Sequence, residues 1–349
     1  MPLIILREAK ESDIPGLEVL SKIAAERHPG FLNISNDQDQ WREKIRRSTD
    51  SFSDKVANKM DAKYLFVAED VATKRILGVS MVAAQHGTPD SPHFYFEVGS
   101  DQKYSQTIST GFIHGTLKFK WDTDGPTEIG GLLVDPEKRN SDERVGRQIS
   151  FVRFLYIAMH KAKFKRRILA ELLPPLTKKG KSPLWEAVGR RFTNMDYTEA
   201  DILSSKNKEF IFSLFPSEKI YITFLSAEAR NAIGKVSKET EPVMHMLKKI
   251  GFQYRNQVDP FDGGPHVSAN VDDVLPIRQM VQVNYVGGSA ETQPNTGLRQ
   301  GLVTPKGVTP FRSAHVEALV KDGKIWFSAP TADLIGVRPG DAVHFMPYY

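Results

Sequence analysis

The chain of 349 residues is 40% hydrophobic and 26% charged, proportions ordinary for a globular protein with a sizeable core. It contains no cysteine, which excludes disulfides, thiolate nucleophiles and cysteine-held metals and makes a cytoplasmic location the default expectation. A net charge of +5, from 47 basic and 42 acidic residues, suits an anionic small-molecule ligand, and no aromatic-studded basic array supports a nucleic-acid partner.

The opening MPLIILREAK is too short an apolar run for a secretory segment, and no stretch approaches the 18 apolar residues of a membrane span. LIILRE (3–8) reads as a strand, and ESDIPGLEVLSKIAAERH (11–28) as a helix with Ile14, Leu17, Leu20 and Ile23 near helical spacing. A polar helix follows over 37–52, then strands over 63–70 and 75–85 joined by the turn VATK. TEIGGLLVDPEKRN (127–140) is a buried-looking strand ending at Asp135-Pro136, followed by a long helix over 142–161 and a strand over 166–173. SPLWEAVGRRF reads as one helix opened by Ser182 and Pro183. Short helices are expected in TEADILSS, NKEFIFSLF, SAEARNAIG and ETEPVMHMLKKIG, the last stopped by Gly251.

Strand–helix alternation through residue 173 predicts an α/β (α+β) body over 1–285, which can divide into two halves near 175–205. Residues 286–301 have loop composition. The remainder reads as short strands around Asp322-Gly323 and Pro339-Gly340 turns, a small C-terminal β module over 286–349.

One segment carries chemistry. LLVDPEKRNSDERVGRQIS joins a strand end to a helix start through Arg139, Gly146 and Arg147. Helix N-terminal N–H groups beside guanidinium groups cradle a phosphate, and a glycine lets the backbone approach closely. The segment is neither a Walker A loop nor a G-x-G-x-x-G turn. The strand Leu132-Leu133-Val134-Asp135-Pro136, the basic glycine-containing turn and the long helix resemble the acyl-CoA-binding core of GNAT acetyltransferases. That likeness implies a GNAT-like mixed sheet flanked by helices. It also implies acyl-CoA contacts at Leu132, Leu133, Val134, Arg139, Val145, Gly146 and Arg147. The compact Arg-Arg-x-x-Gly-x-Gly of that superfamily is lengthened here between Arg139 and Gly146.

A narrower resemblance is to bacterial arginine N-succinyltransferases. SPLWEAVGRRFTNMDYTEAD is similar to that family's SPFW-x-x-LG-x-RFF-x-MDF-x-x-AD signature. Ala170-Glu171, KEFI-x-x-L-x-P (208–216), IGKV (233–236), GF-x-Y (251–254) and FDGGP (261–265) also match, in order, over about residues 1–280. The resemblance implies succinyl transfer from succinyl-CoA, a co-substrate, to the α-amino group of L-arginine or a related amine. It implies no prosthetic group and no metal, and a homo- or hetero-oligomer without membrane attachment.

Carboxylates suit a substrate guanidinium, so Asp196 and Asp262, with Ser182, are candidate substrate contacts, and Glu171 a candidate catalytic group. Read structurally, Asp196 is a helix cap and Asp262 a turn residue; Trp185 and Phe192 pack the helix, and Arg190 and Arg191 face solvent or hold acidic neighbours. The family's proton-donating histidine after IG-x-V is Ser237 here, the second catalytic candidate. His245 reads as a helix-surface residue and His266 as a stand-in near a signature loop. The alternative function is a non-catalytic or altered-specificity paralogue that binds acyl-CoA or a partner subunit. Residues 95–126 keep only Val98-Gly99 of the family pattern.

Overall fold

The computed structural model describes residues 3–27, 37–139, 143–288 and 297–348. The strands are β1 (Ile4–Glu8), β2 (Lys63–Asp70), β3 (Ile76–Ala83), β4 (His93–Ser105), β5 (Thr110–Asp122), β6 (Thr127–Val134), β7 (Arg167–Glu171) and β8 (Ile220–Tyr221). They continue with β9 (Gln253–Val258), β10 (Pro265–Asn270), β11 (Val281–Tyr285), β12 (Arg299–Pro305), β13 (Arg312–Lys321), β14 (Lys324–Trp326) and β15 (Ala342–Pro347). All belong to one sheet of 15 strands, ordered β12-β15-β11-β14-β13-β1-β2-β3-β6-β7-β10-β9-β4-β5-β8. The β6–β7 and β11–β14 pairs are parallel and the others antiparallel, so the fold is mixed α/β, as the sequence reading expects.

The central strands are covered on both sides. Tyr64, Phe66 and Ala68 of β2 join the largest apolar cluster, built with helices α3 (Val145–Met159), α9 (Glu241–Lys249) and α10 (Leu275–Gln279). Alternating Leu65 and Val67 face α1 (Ile14–Arg27) and α2 (Gln38–Phe52). A period-two strand flanked by helices on both faces must be apolar throughout, which is why KYLFVAED is almost continuously buried. A third cluster packs α4 (Pro183–Ala187), α6 (Tyr197–Ser204) and α7 (Glu209–Leu214) against the inner half of the β4–β5 ribbon, and α8 (Ala227–Ala232) follows in the chain.

Two elements differ from expectation. The helix expected over 182–192 is broken at Val188 into α4 and α5 (Gly189–Thr193). A Cβ on Gly189 would lie 2.2 Å from the Trp185 ring, so the second piece forms only because that residue has no side chain. The long β4–β5 ribbon has no counterpart in the sequence reading. Its outer half carries exposed Tyr104, Ile108, Phe112 and Ile113 beside polar residues, so no inside–outside alternation marks it.

At the C-terminal end β12 pairs with both β15 and β13, closing five strands into a ring around α11 (Ala329–Ile335) and its own apolar cluster. The ring is continuous with the body through β13, which pairs antiparallel with β1. Among the described residues no helix is long and apolar enough to cross a membrane.

Candidate active site

The site begins where β6 and β7 part. These parallel strands are in register only at Thr127↔Ile168 and Glu128↔Leu169. Beyond Glu128, β6 passes through Gly130-Gly131 and bulges against β3 between its Val79 and Met81 pairings. Gly131 sits at φ +58°, where a side chain would be strained. The β7-facing edge of Ile129–Val134 therefore carries no strand partner among the described residues, and the Gly130 carbonyl accepts from Arg153 Nη1 at 3.4 Å. Leu133 is buried in the α1–α2 cluster, while Leu132 and Val134 pack, partly buried, against the α3 side.

β6 leads into the α3 N-terminus, where the Arg147 and Gln148 N–H groups donate to Arg144 O at 2.9 and 3.1 Å and the Val145 and Gly146 N–H groups precede any intrahelical acceptor. Arg144 takes a left-handed conformation, φ +51°, and turns the chain into the helix, and no side chain of its own caps it. A Cβ on Gly146 would meet only Val134 Cγ2 at 3.7 Å, so packing does not require glycine there. Arg147 lies over the Tyr348 ring and, with Arg299, Gln279 and Gln300, lines a groove of ≈ 620 Å³; Arg144 donates to Gln300. Arg139 is exposed on the preceding turn, of which residues 140–142 lie outside the described residues. The helix start thus offers amide dipoles and guanidinium groups together, a site for an anion.

On the sheet face away from α3, a charged cluster lies at the parting of the strands. Ile168 and Ala170 belong to the α3 side, so Leu169 and Glu171 project oppositely; the same alternation puts Glu128 opposite Ile129 and His266 opposite Val267. β10 pairs with β7 so that His266 stands directly across from Glu171. Three imidazoles converge on Glu171 Oε1: His93 Nε2 at 3.2 Å, His266 Nε2 at 3.5 Å and His86 Nε2 at 3.6 Å. Glu128 Oε2 holds the other His86 nitrogen, Nδ1, at 3.0 Å.

The electrostatics follow from this arrangement. Burial would raise the Glu171 carboxyl, but the three histidines outweigh it and hold the group well below the usual carboxylate range. Burial opposes charging of His86, yet Glu128 and Glu171 prevail and raise it. His93 is lowered, chiefly by burial, and burial pushes His266 down to about 4. Asp259 is raised to about 7 and Asp262 well above its ordinary range, each first by burial and then by neighbouring carboxylates.

The remaining sequence candidates are distributed unevenly. Asp262 shares the charged cluster, but its Oδ1 also accepts from the Gly264 N–H at 2.7 Å and shapes the FDGGP turn. A Cβ on Gly264 would sit 2.2 Å from the Leu172 carbonyl, so this turn closes onto the end of β7 only with glycine. Ser237 is half-buried, its N–H donating to Leu173 O and its hydroxyl bonded to Thr240 at 2.9 Å. Ser182 is fully buried, its hydroxyl donating to Phe261 O and accepting from Trp185 N–H; it caps α4 and faces no opening. Asp196 pairs with Arg190 on the surface at the start of α6. Trp185 stacks on Phe261 at 4.8 Å and is fully buried, as its expected packing role requires, whereas Phe192 is exposed.

Sequence reasoning missed His86, His93, Glu128 and Asp259. No spacing motif joins them, and only the folded sheet with the loops at its strand ends makes them neighbours. A histidine at each end of the 86–93 loop was the only available hint.

The family of arginine N-succinyltransferase beta subunits matches residues 4–276. A curated arginine N-succinyltransferase of Yersinia enterocolitica is 32% identical over 329 residues, 94% of either chain. One from Salmonella arizonae is 32% identical over 344 residues, covering 98% of this chain and 97% of the relative. The solved arginine/ornithine succinyltransferase subunit AI of Pseudomonas aeruginosa superimposes with a TM-score of 0.84 at 26% identity, covering 99% of both chains.

Proposed function

The chain belongs to the arginine N-succinyltransferase family, and from that premise we propose that it moves a succinyl group from succinyl-CoA to the α-amino group of L-arginine. The observation that carries this reading is the parting of β6 from β7 between a basic helix start on one side and a buried carboxylate–imidazole cluster on the other.

The coenzyme's diphosphate rests on the N–H groups of Val145 and Gly146, with Arg147, Arg144 and Arg299 neutralising its charge. Its pantetheine arm enters the parting of β6 and β7, where a backbone N–H in Leu132–Val134 donates to the thioester carbonyl. Arginine approaches from the Glu171 face. Glu128 and Glu171, both held below the usual carboxylate range by their histidine neighbours, supply the negative field that a guanidinium and an ammonium seek, and Asp259 and Asp262, raised by burial, offer hydrogen-bonding groups beside them. The ammonium passes a proton to the Glu171 cluster, the amine attacks the thioester carbon, and the oxyanion forms against the β6 amide. The adduct nitrogen gives up its second proton to solvent as collapse breaks the C–S bond, and the departing CoA thiolate takes a proton from solvent. No covalent enzyme intermediate is required.

The test is release of free CoA thiol from succinyl-CoA with a panel of amines. The reading expects turnover with arginine, or an amine of its class, that saturates in both substrates. Saturable succinyl-CoA binding without turnover on any amine overturns it and favours a non-catalytic paralogue.

A further inference from the structure

We propose that His86, His93 and Glu171 form a binding site for a divalent first-row transition cation, of which Zn²⁺ is the natural probe. The inference does not depend on succinyl transfer, because it needs only the geometry of these side chains.

Three observations carry it. First, one ligand atom from each of the three residues lies within 4.8 Å of the others. Nε2 of His93 and of His86 stand 3.2 Å and 3.6 Å from Glu171 Oε1. Zinc–nitrogen and zinc–oxygen bonds of about 2.0–2.1 Å at tetrahedral angles separate neighbouring ligand atoms by about 3.3–3.4 Å. The two spacings bracket that edge, whereas a charge-assisted N–H···O bond would draw the atoms to about 2.7–2.9 Å.

Second, His93 Nε2 is buried and its one polar neighbour among the described residues, the Glu171 carboxylate, stands at 3.2 Å in poor hydrogen-bond geometry, while both ring nitrogens of the fully buried His266 beside it have no hydrogen-bond partner among the described residues. Orphaned buried nitrogens are costly, about 1–3 kcal/mol each, and are rare without a ligand to explain them. A cation at the trio gives the His93 lone pair its acceptor.

Third, the orienting carboxylate that metal-binding histidines usually have is present. Glu128 Oε2 lies 3.0 Å from His86 Nδ1 and holds the N–H there, leaving the Nε2 lone pair directed at Glu171. Two imidazoles and one carboxylate with a free fourth position match the donor set of open zinc sites. His266 and Asp259 form a second trio with Glu171, but His266 Nδ1 has no hydrogen-bond partner among the described residues to orient the ring. We therefore place the cation with His86 and His93.

The experiment is to equilibrate the full chain, purified without chelator, with ZnSO4, desalt it, and measure zinc by atomic spectrometry. The expected result is about one equivalent per chain, since all three ligands come from one chain. Loading with Co²⁺ should produce the visible absorption of a low-symmetry site, and Zn²⁺ should abolish it. His86→Gln and His93→Gln, which keep much of the side-chain volume, should each lower affinity by at least about tenfold, and Glu128→Gln by about 10–100-fold through His86. His245→Ala, on an exposed helix surface, should leave occupancy unchanged. Wild-type chain that retains no zinc and gives no cobalt spectrum overturns the proposal. So does full occupancy in both glutamine variants.

Discussion

At the residue scale, Glu171 is where charge, burial and strand register meet. Removing its charge while keeping its shape, Glu171→Gln, should lower kcat for acyl transfer by about 10²–10⁴-fold, the usual range for a member of an acid–base cluster, with the fold intact by circular dichroism. Ser237 presents a contrast. Its hydroxyl is engaged by Thr240 and its position is set by a backbone bond to Leu173, so Ser237→Ala should leave kcat within about tenfold of the wild type. A larger loss would assign the serine a direct part in the reaction. Gly146 can be probed through binding. A methyl there meets only Val134 Cγ2 at 3.7 Å, so Gly146→Ala should leave the melting temperature unchanged or slightly higher, while KM for the acyl-CoA rises by an order of magnitude. An unchanged KM would remove the helix start from the coenzyme site. Glu171 and FDGGP were legible in the sequence because they sit in ordered motifs. The histidines around Glu171 were not, because nothing local distinguishes them from surface residues.

At the scale of elements, two close approaches hold the site's walls. Gly189 lies under Trp185, and Gly264 lies against the Leu172 carbonyl at the end of β7. Each would place a new Cβ 2.2 Å from a neighbouring atom, and neither neighbour is a flexible side-chain end. Gly189→Ala and Gly264→Ala should therefore each destabilise the chain by at least about 1–3 kcal/mol in urea titrations, the ordinary cost of overpacking. Gly264→Ala should also impair activity in the fraction that remains folded, because its turn carries Asp262 and leads into His266. Most helices and central strands were readable from periodicity and caps. The β4–β5 ribbon was not, since a two-stranded arm exposed on both faces has no reason to alternate. The break at Val188 was hidden as well, because it depends on where the Trp185 ring comes to rest.

At the scale of the whole molecule, burial of acidic groups around the acceptor side makes stability depend on pH. Burial pushes the Asp201 carboxyl up to about 6, with the negative charge of Glu171 adding to the effect. A carboxyl whose folded pKa exceeds its unfolded value favours folding in its protonated form, so this contribution is lost as pH rises from about 4 to about 6. Asp201→Asn should accordingly stabilise the chain above pH 7 by about 1–2 kcal/mol, less than the full shift implies because the side chain keeps some exposure, and should change little at pH 4. Equal stability of the two chains at both pH values would show that the carboxyl is solvated.

By itself the sequence determined most of the central strands and helices, the strand-turn-helix that presents amides and arginines to an anion, and the motifs that place the chain in its family. Those properties are local: they depend on side-chain period, on caps and on residues a few positions apart. Only the tertiary structure decided that His86, His93 and His266 converge on one carboxylate oxygen, and that Ser182 and Asp196 are held by structural partners instead. The physical reason is register. A sheet brings distant residues to the same face by hydrogen bonds between strands, and a shift of one position would have turned Glu171 and His266 to the opposite side.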